Sequence, residues 1–142
     1  MPKRKETNKI VIHCAATKPN MDIGVDEITK WHMQRGFRTC GYHFVIRRDG
    51  TVETGRAENE IGAHAYGNNS DSIGVALVGG LSEDNQPENN FTVDQWVILA
   101  KLVEELIERH PFAEVMGHND ISKKDCPCFN VKEWRQNEIS DR

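Results

Sequence analysis

Six histidines and four cysteines stand in a chain of 142 residues, and three of these residues carry a pattern that could hold a metal. Catalytic zinc usually takes three protein ligands, most often imidazole, thiolate or carboxylate, and leaves one position open for water. His13 closes an apolar run, and His118 follows Gly117 at the end of another. Cys126 comes eight residues later, with Lys124 two positions before it and Pro127 directly after. One histidine at each of two strand ends and a cysteine on the following loop can converge on a single ion. The same spacing also suits histidines of a core or a sheet edge. Neither His-Glu-x-x-His nor another local zinc signature occurs. A nucleophilic serine is excluded more firmly, since no Gly-x-Ser-x-Gly elbow is present. Nothing in the sequence pairs Cys126 with a base that would make it an activated nucleophile.

These residues need elements to position them. KIVIHCA (9–15) is short, apolar and rich in β-branched residues, which predicts a buried strand. Residues 26–35 place Ile28 and Trp31 on one helical face before a stop at Gly36. Two strands follow, 42–48 and 51–54. Asp49-Gly50 between them supplies the positive φ angles of a two-residue hairpin turn. IGVALV (73–78) reads as a second buried strand, and 81–90 as a polar surface loop. Thr92 opens the clearest helix: Thr92 and Gln95 form a capping box, and Trp96, Leu99, Ala100, Val103, Leu106 and Ile107 repeat on one face. Residues 114–117 suit a short strand and 131–137 a last helix. The expectation is an α/β fold, a single domain over 9–142 with a central mixed β-sheet flanked by helices. Residues 1–8, basic and polar, read as a flexible tail.

Alternation along strands sorts the neighbouring residues. Cys14 should face away from His13 as a buried thiol, and His43 away from Tyr42 as a structural histidine. His32, on a helix, and His110, at a helix end, carry no expected function.

Composition narrows the classes further. The formal net charge of -4 argues against a nucleic-acid footprint, which needs a basic stripe, and against electrostatic docking on an anionic surface. Cysteines at 14, 40, 126 and 128 match no disulfide framework of a secreted domain. No apolar run reaches about 18 residues, and the basic N-terminus leads into no signal-peptide core. Synthesis in the cytosol without membrane insertion is expected.

HCAATKP (13–19), GYHFVIRRDGTVETGR (41–56), GAHAYGNNSDSIGVALVGG (62–80), GHND (117–120) and KKDCPCF (123–129) together resemble the type-2 N-acetylmuramoyl-L-alanine amidases. That superfamily also contains the peptidoglycan recognition proteins. The motifs run in family order over residues 9 to about 135. The resemblance implies hydrolysis of the amide between N-acetylmuramic acid and L-alanine in bacterial peptidoglycan. It implies one zinc ion on His13, His118 and Cys126, with Tyr42 and Lys124 as catalytic residues. His64 and Asn69 would line the substrate groove. It also implies a monomeric phage or prophage endolysin that waits in the cytosol for a pore-forming holin. Two alternatives come with the family: a recognition module that binds without cutting, distinguished by a missing cysteine ligand, and an added role as inhibitor of a phage RNA polymerase. The sequence departs from the pattern at Cys128, where a small or hydroxyl residue is expected. Cys128 could therefore stand in for Cys126 as the ligand.

Overall fold

The run SIGVAL is buried at every position, as a strand covered on both faces must be. It forms the middle of a five-stranded sheet in the computed structural model, which describes residues 2–140. The elements are β1 (Lys9–Cys14), α1 (Val25–Gln34), β2 (Phe44–Ile46), β3 (Val52–Thr54), β4 (Ser72–Leu77), α2 (Val93–Arg109), β5 (Glu114–Gly117) and α3 (Val131–Ser140). The strand order is β3-β2-β4-β1-β5, parallel throughout except for the β2–β3 hairpin. This is the expected mixed sheet flanked by helices.

The two faces of the sheet have different partners. Ile10, Ile12 and Cys14 of β1 join Ile73, Val75 and Leu77 of β4 in one core with Leu99, Leu102, Val103 and Leu106 of α2 and Val131 of α3. Each large aliphatic side chain buried there contributes about 1.5–3 kcal/mol relative to exposure. The start of α2 is fixed as its capping box predicts. Thr92 Oγ1 accepts from Gln95 N–H at 3.1 Å, and Gln95 Oε1 accepts from Thr92 N–H at 3.0 Å. Gln95 is wholly buried, and its Nε2 donates to the carbonyls of Ile46 and Val78, tying α2 to the sheet. Alternation turns Val11 and His13 to the opposite face. There Ile28 of α1 packs with Cys40, Val45 and Val78. His13 is thus kept out of the α2 core while Cys14 enters it.

Three expectations of local structure change. The hairpin turn has three loop residues: Ile46 pairs with Val52, and Arg47 N–H donates to Thr51 O. Gly50 alone takes positive φ there, at 90°, because a Gly50 N–H to Arg47 O bond closes a turn that only its last residue must bend out of. The strand β2 begins at Phe44, so Tyr42 precedes the ladder and the alternation rule does not reach it. Residues 2–8, expected as a flexible tail, lie along the domain. The Arg4 backbone N–H donates to Asn59 O, its guanidinium donates to Glu60 O and Thr7 Oγ1, and Ile61 N–H donates to Pro2 O. Arginine carries five N–H donors, and the 59–60 carbonyls accept from it; composition alone does not reveal such acceptors. Met1 lies outside the described residues.

His43 is structural, as expected, but not by facing away. Its ring lies 5.8 Å from that of His64, and the backbone uses both its nitrogens. Gly74 N–H donates to Nδ1 at 3.0 Å, and Nε2–H donates to Glu60 O at 2.8 Å. That pattern requires the neutral imidazole, and burial lowers its pKa from 6.5 to about 4. The unfolded chain therefore takes up a proton that the fold refuses. His43 contributes stability in full above about pH 6.5, and the contribution disappears as the pH falls through about 4. At 1.36 kcal/mol per pH unit the loss is roughly 3 kcal/mol. Urea unfolding from pH 7 to pH 4 should show this decline for the wild type and a flatter profile for His43→Asn; equal slopes would clear His43 of the effect.

Candidate active site

On the α1 face the chain encloses a cavity of about 690 Å³ lined by residues from every segment singled out by motif: His13, Tyr42, His64, Asn69, His118, Lys124 and Cys126. β1 brings His13 to the floor, and the end of β5 delivers His118 directly into a short 3-10 turn, His118–Asp120. The loop after that turn carries Lys124 and Cys126.

His13, His118 and Cys126 each offer one ligand atom, all within 4.8 Å of one another. The Cys126 Sγ lies 3.9 Å from His13 Nδ1, and the His13 and His118 rings are 4.5 Å apart. Cys128 is not in this group. Its thiol points to Gly80 O at 3.4 Å, and burial pushes it up to about 12.

A chain of hydrogen bonds fixes which nitrogen of His13 is free. Ser72 Oγ–H donates to Asn68 O at 2.6 Å, so its oxygen must accept from His64 Nε2–H, 3.1 Å away. His64 Nδ1 is then an acceptor, and it takes the hydrogen of His13 Nε2 at 2.8 Å. The lone pair of His13 is left on Nδ1, toward Cys126. Outer partners that set the tautomer in this way are what metal-binding histidines require. Ser72 was not visible as a functional residue in the sequence, because no spacing rule links it to His13. Gly74 permits the arrangement: a Cβ there would lie 2.5 Å from the His64 ring.

The protonation states suit metal binding. Burial, and then the neighbouring His64 and His118, hold His13 well below its usual value; burial and then Lys124 lower His118. Both are neutral donors at pH 7. For Cys126, hydrogen bonds from the Cys14 thiol and from the Cys14 backbone N–H at 3.1 Å favour the thiolate over the opposing effect of burial. Neutral imidazoles and a thiolate are the forms that coordinate a metal. The donor set therefore fits one metal ion. It also sets the His13 imidazole beside the Cys126 sulfur, 3.9 Å away.

Tyr42 packs its ring 5.1 Å from His13 and 5.2 Å from His32. His32, expected to be idle, accepts from Gly41 N–H at 2.8 Å and so supports the bend that presents Tyr42. Burial raises the Tyr42 phenol, which stays protonated at neutral pH. Lys124 is exposed at the rim, and among the described residues its ammonium has no acceptor. Asn69 lines the cavity, yet its Oδ1 accepts from the N–H groups of both His64 and Ala65 at 2.9 Å. It shapes the loop that carries His64 and keeps one free donor, Nδ2.

With this geometry in hand, the likeness to known proteins is informative. The family described as N-acetylmuramoyl-L-alanine amidase matches residues 3–129. The endolysin of Klebsiella phage KP32 is 49% identical, over 96% of this chain and 91% of its own. The endolysin of Escherichia phage T7 is 44% identical, over 98% and 94%. Among solved structures, the endolysin N-acetylmuramoyl-L-alanine amidase LysCS from Clostridium intestinale superposes with a TM-score of 0.80 at 32% identity, covering 96% of this chain and 88% of that one.

Proposed function

The chain belongs to the N-acetylmuramoyl-L-alanine amidase family, and from that premise we propose how its own residues carry out the reaction. It is an endolysin of the phage type that hydrolyses the amide joining N-acetylmuramic acid to L-alanine in peptidoglycan. The observation that carries the residue assignment is the His13–His118–Cys126 group sharing one cavity with Tyr42 and Lys124.

His13 through Nδ1, His118 and the Cys126 thiolate hold one zinc ion in this reading. Two nitrogens and one sulfur with a position left open is a catalytic zinc donor set. Zinc, when bound, makes water nucleophilic near neutral pH and polarises the scissile carbonyl. The remaining work belongs to the protein. Lys124 places its ammonium where negative charge develops on the carbonyl oxygen. Tyr42, a neutral phenol, holds a proton at its hydroxyl and passes it toward the leaving amine of L-alanine. His64 and Ser72 are positioning residues that keep His13 turned to the ion. Asn69 holds the His64 loop and offers Nδ2 to substrate. No described helix is long and apolar enough to cross a membrane, and we assign access to the wall to a pore-forming partner. The protein works as a monomer.

Purified protein should release stem peptides with an unblocked N-terminal L-alanine from peptidoglycan, identified by mass spectrometry. Chelation should stop the release and zinc should restore it. Release that survives complete removal of metal would point instead to Cys126 acting as a nucleophile with His13 as its base. A wall that is bound but left intact would make this a recognition module, and severed glycan strands would overturn the assignment.

A further inference from the structure

On the α2 side of the sheet a cleft of about 420 Å³ opens between α2 and α3, and none of its lining residues belongs to the catalytic cavity. The start of α3 builds it. Asn130 Oδ1 accepts the Glu133 N–H at 3.1 Å as a helix N-cap, and Asn130 O accepts the Trp134 N–H at 3.0 Å. With the first turn of α3 set in this way, the Trp134 ring stands 6.2 Å from that of Trp96 on α2, tilted by 38°. Phe129 meets Trp96 edge to face at 4.8 Å. These three rings are only half-buried, whereas Phe91, which also packs on Trp96, is buried. Polar groups surround them. The side-chain amides of Asn89 and Asn137 and the carboxylates of Glu133 and Glu138 make no hydrogen bond among the described residues, and the capping Asn130 keeps Nδ2 free. No lysine or arginine lines the cleft among the described residues.

We propose that this cleft binds N-acetylglucosamine units of the peptidoglycan glycan strand, as a second hold on the polymer whose amide the catalytic cavity cuts. The choice of strand rests on the amidase reading above. The lining points to a neutral sugar. A pyranose presents C–H faces that pack on indole, and its hydroxyl and acetamido groups need the amide and carboxylate partners that the cleft offers. Two carboxylates with no fixed cation beside them, on a chain of net charge -4, repel a phosphate-bearing polymer or an acidic peptide. Continuity supplies the route. A further cavity, of about 460 Å³, shares Lys124 with the catalytic cavity and Phe129 and Asn130 with the cleft. Lys124 and Asn130 are six positions apart in the chain and so at most about 22 Å apart in space. A strand of a few sugars covers that distance.

The test follows the indole N–H signals of zinc-loaded protein by NMR as an N-acetylglucosamine tetramer is added. Those of Trp96 and Trp134 should move together, and that of Trp31, on α1, should stay. A glucose tetramer, which lacks the acetamido groups, should bind about fivefold more weakly or worse. Trp134→Ala should raise the Kd of the N-acetylglucosamine tetramer about three- to tenfold. Asn137→Ala, at an exposed position outside the core, should raise it about two- to fivefold without disturbing the fold. On intact sacculi either change should raise KM by a larger factor than on a single muramoyl tripeptide, which is too short to reach the cleft. Indoles that stay still, variants that bind as tightly as wild type, equal binding of the two tetramers, or equal losses on both substrates would overturn the sugar site. The binding measurements need no turnover. A tripeptide left uncleaved would therefore bring down the amidase reading, and the signals of Trp96 and Trp134 would still decide the cleft.

Discussion

Cys126→Ser should leave the protein without bound zinc and lower amidase activity by more than about a hundredfold, while Cys128→Ser keeps both. The two sulfurs are two residues apart but chemically distinct. Cys126 Sγ receives the Cys14 backbone N–H at 3.1 Å and lies 3.9 Å from His13 Nδ1, in the group it forms with His13 and His118. Its thiol is lowered by the Cys14 thiol and amide, against the effect of burial, which favours the form that coordinates metal. Cys128 points to Gly80 O, and burial pushes its thiol up to about 12, so it is a protonated thiol at neutral pH. Serine cannot replace the thiolate at 126, because its hydroxyl stays protonated and is a poor ligand. At 128 serine is of the small or hydroxyl type that the resemblance leads one to expect there. Metal content after gel filtration, measured beside stem-peptide release, checks both halves. Zinc lost from Cys128→Ser and kept by Cys126→Ser would reverse the ligand assignment.

The sequence carries the fold better than the site. Strands β1 and β4 were legible because a run of apolar β-branched residues buried on both faces looks like little else, and α2 because its cap and its face agree. The hairpin was legible as a hairpin and wrong in its turn: Asp49-Gly50 suits two geometries, and the register of Ile46 with Val52 decides between them. The docking of residues 2–8 was hidden because its acceptors are backbone carbonyls some fifty residues away, which composition does not encode. Spacing alone left His13 and His118 as metal ligands or core histidines. The structure brings the two together through a long-range fact, that β1 and β5 are adjacent and parallel, so that their ends open on the same space.

Support around the ligands was hardest to foresee. Alternation placed His43 on the far side of Tyr42, yet the bend at Gly41–His43 ends the rule before it applies. His43 lies beside His64 instead, with its nitrogens taken by Gly74 and Glu60. Ser72, His64 and Gly74 act as one unit across a loop: the serine sets the tautomer, the histidine transmits it, and the glycine leaves room for the ring. Each is an ordinary residue by type; Ser72 and Gly74 acquire their roles from their places in β4 beside β1, and His64 from the loop that Asn69 holds.

Lys124→Ala should lower kcat about a hundred- to a thousandfold with little change in KM and full zinc occupancy. The argument starts from what surrounds the ammonium. It is exposed at the cavity rim, and its charge reaches His13, His118 and Cys126. Among the described residues no carboxylate pairs with it, so its charge is free to meet a charge that appears only during reaction. A cation placed for a developing oxyanion acts on the transition state more than on the bound substrate, which is why kcat and not KM should carry the loss. Tyr42→Phe should lose activity as well, about a hundredfold for a positioned proton donor. Its ring would keep the contacts with His13 and His32, so zinc should stay. Solvent isotope effects separate the two roles. If Tyr42 supplies the proton, the isotope effect on kcat should shrink in Tyr42→Phe and persist in Lys124→Ala. A Lys124→Ala protein that lost its zinc would show that the lysine supports the ligands. A loss confined to KM would show that it binds the ground state, and either result would remove it from the chemistry.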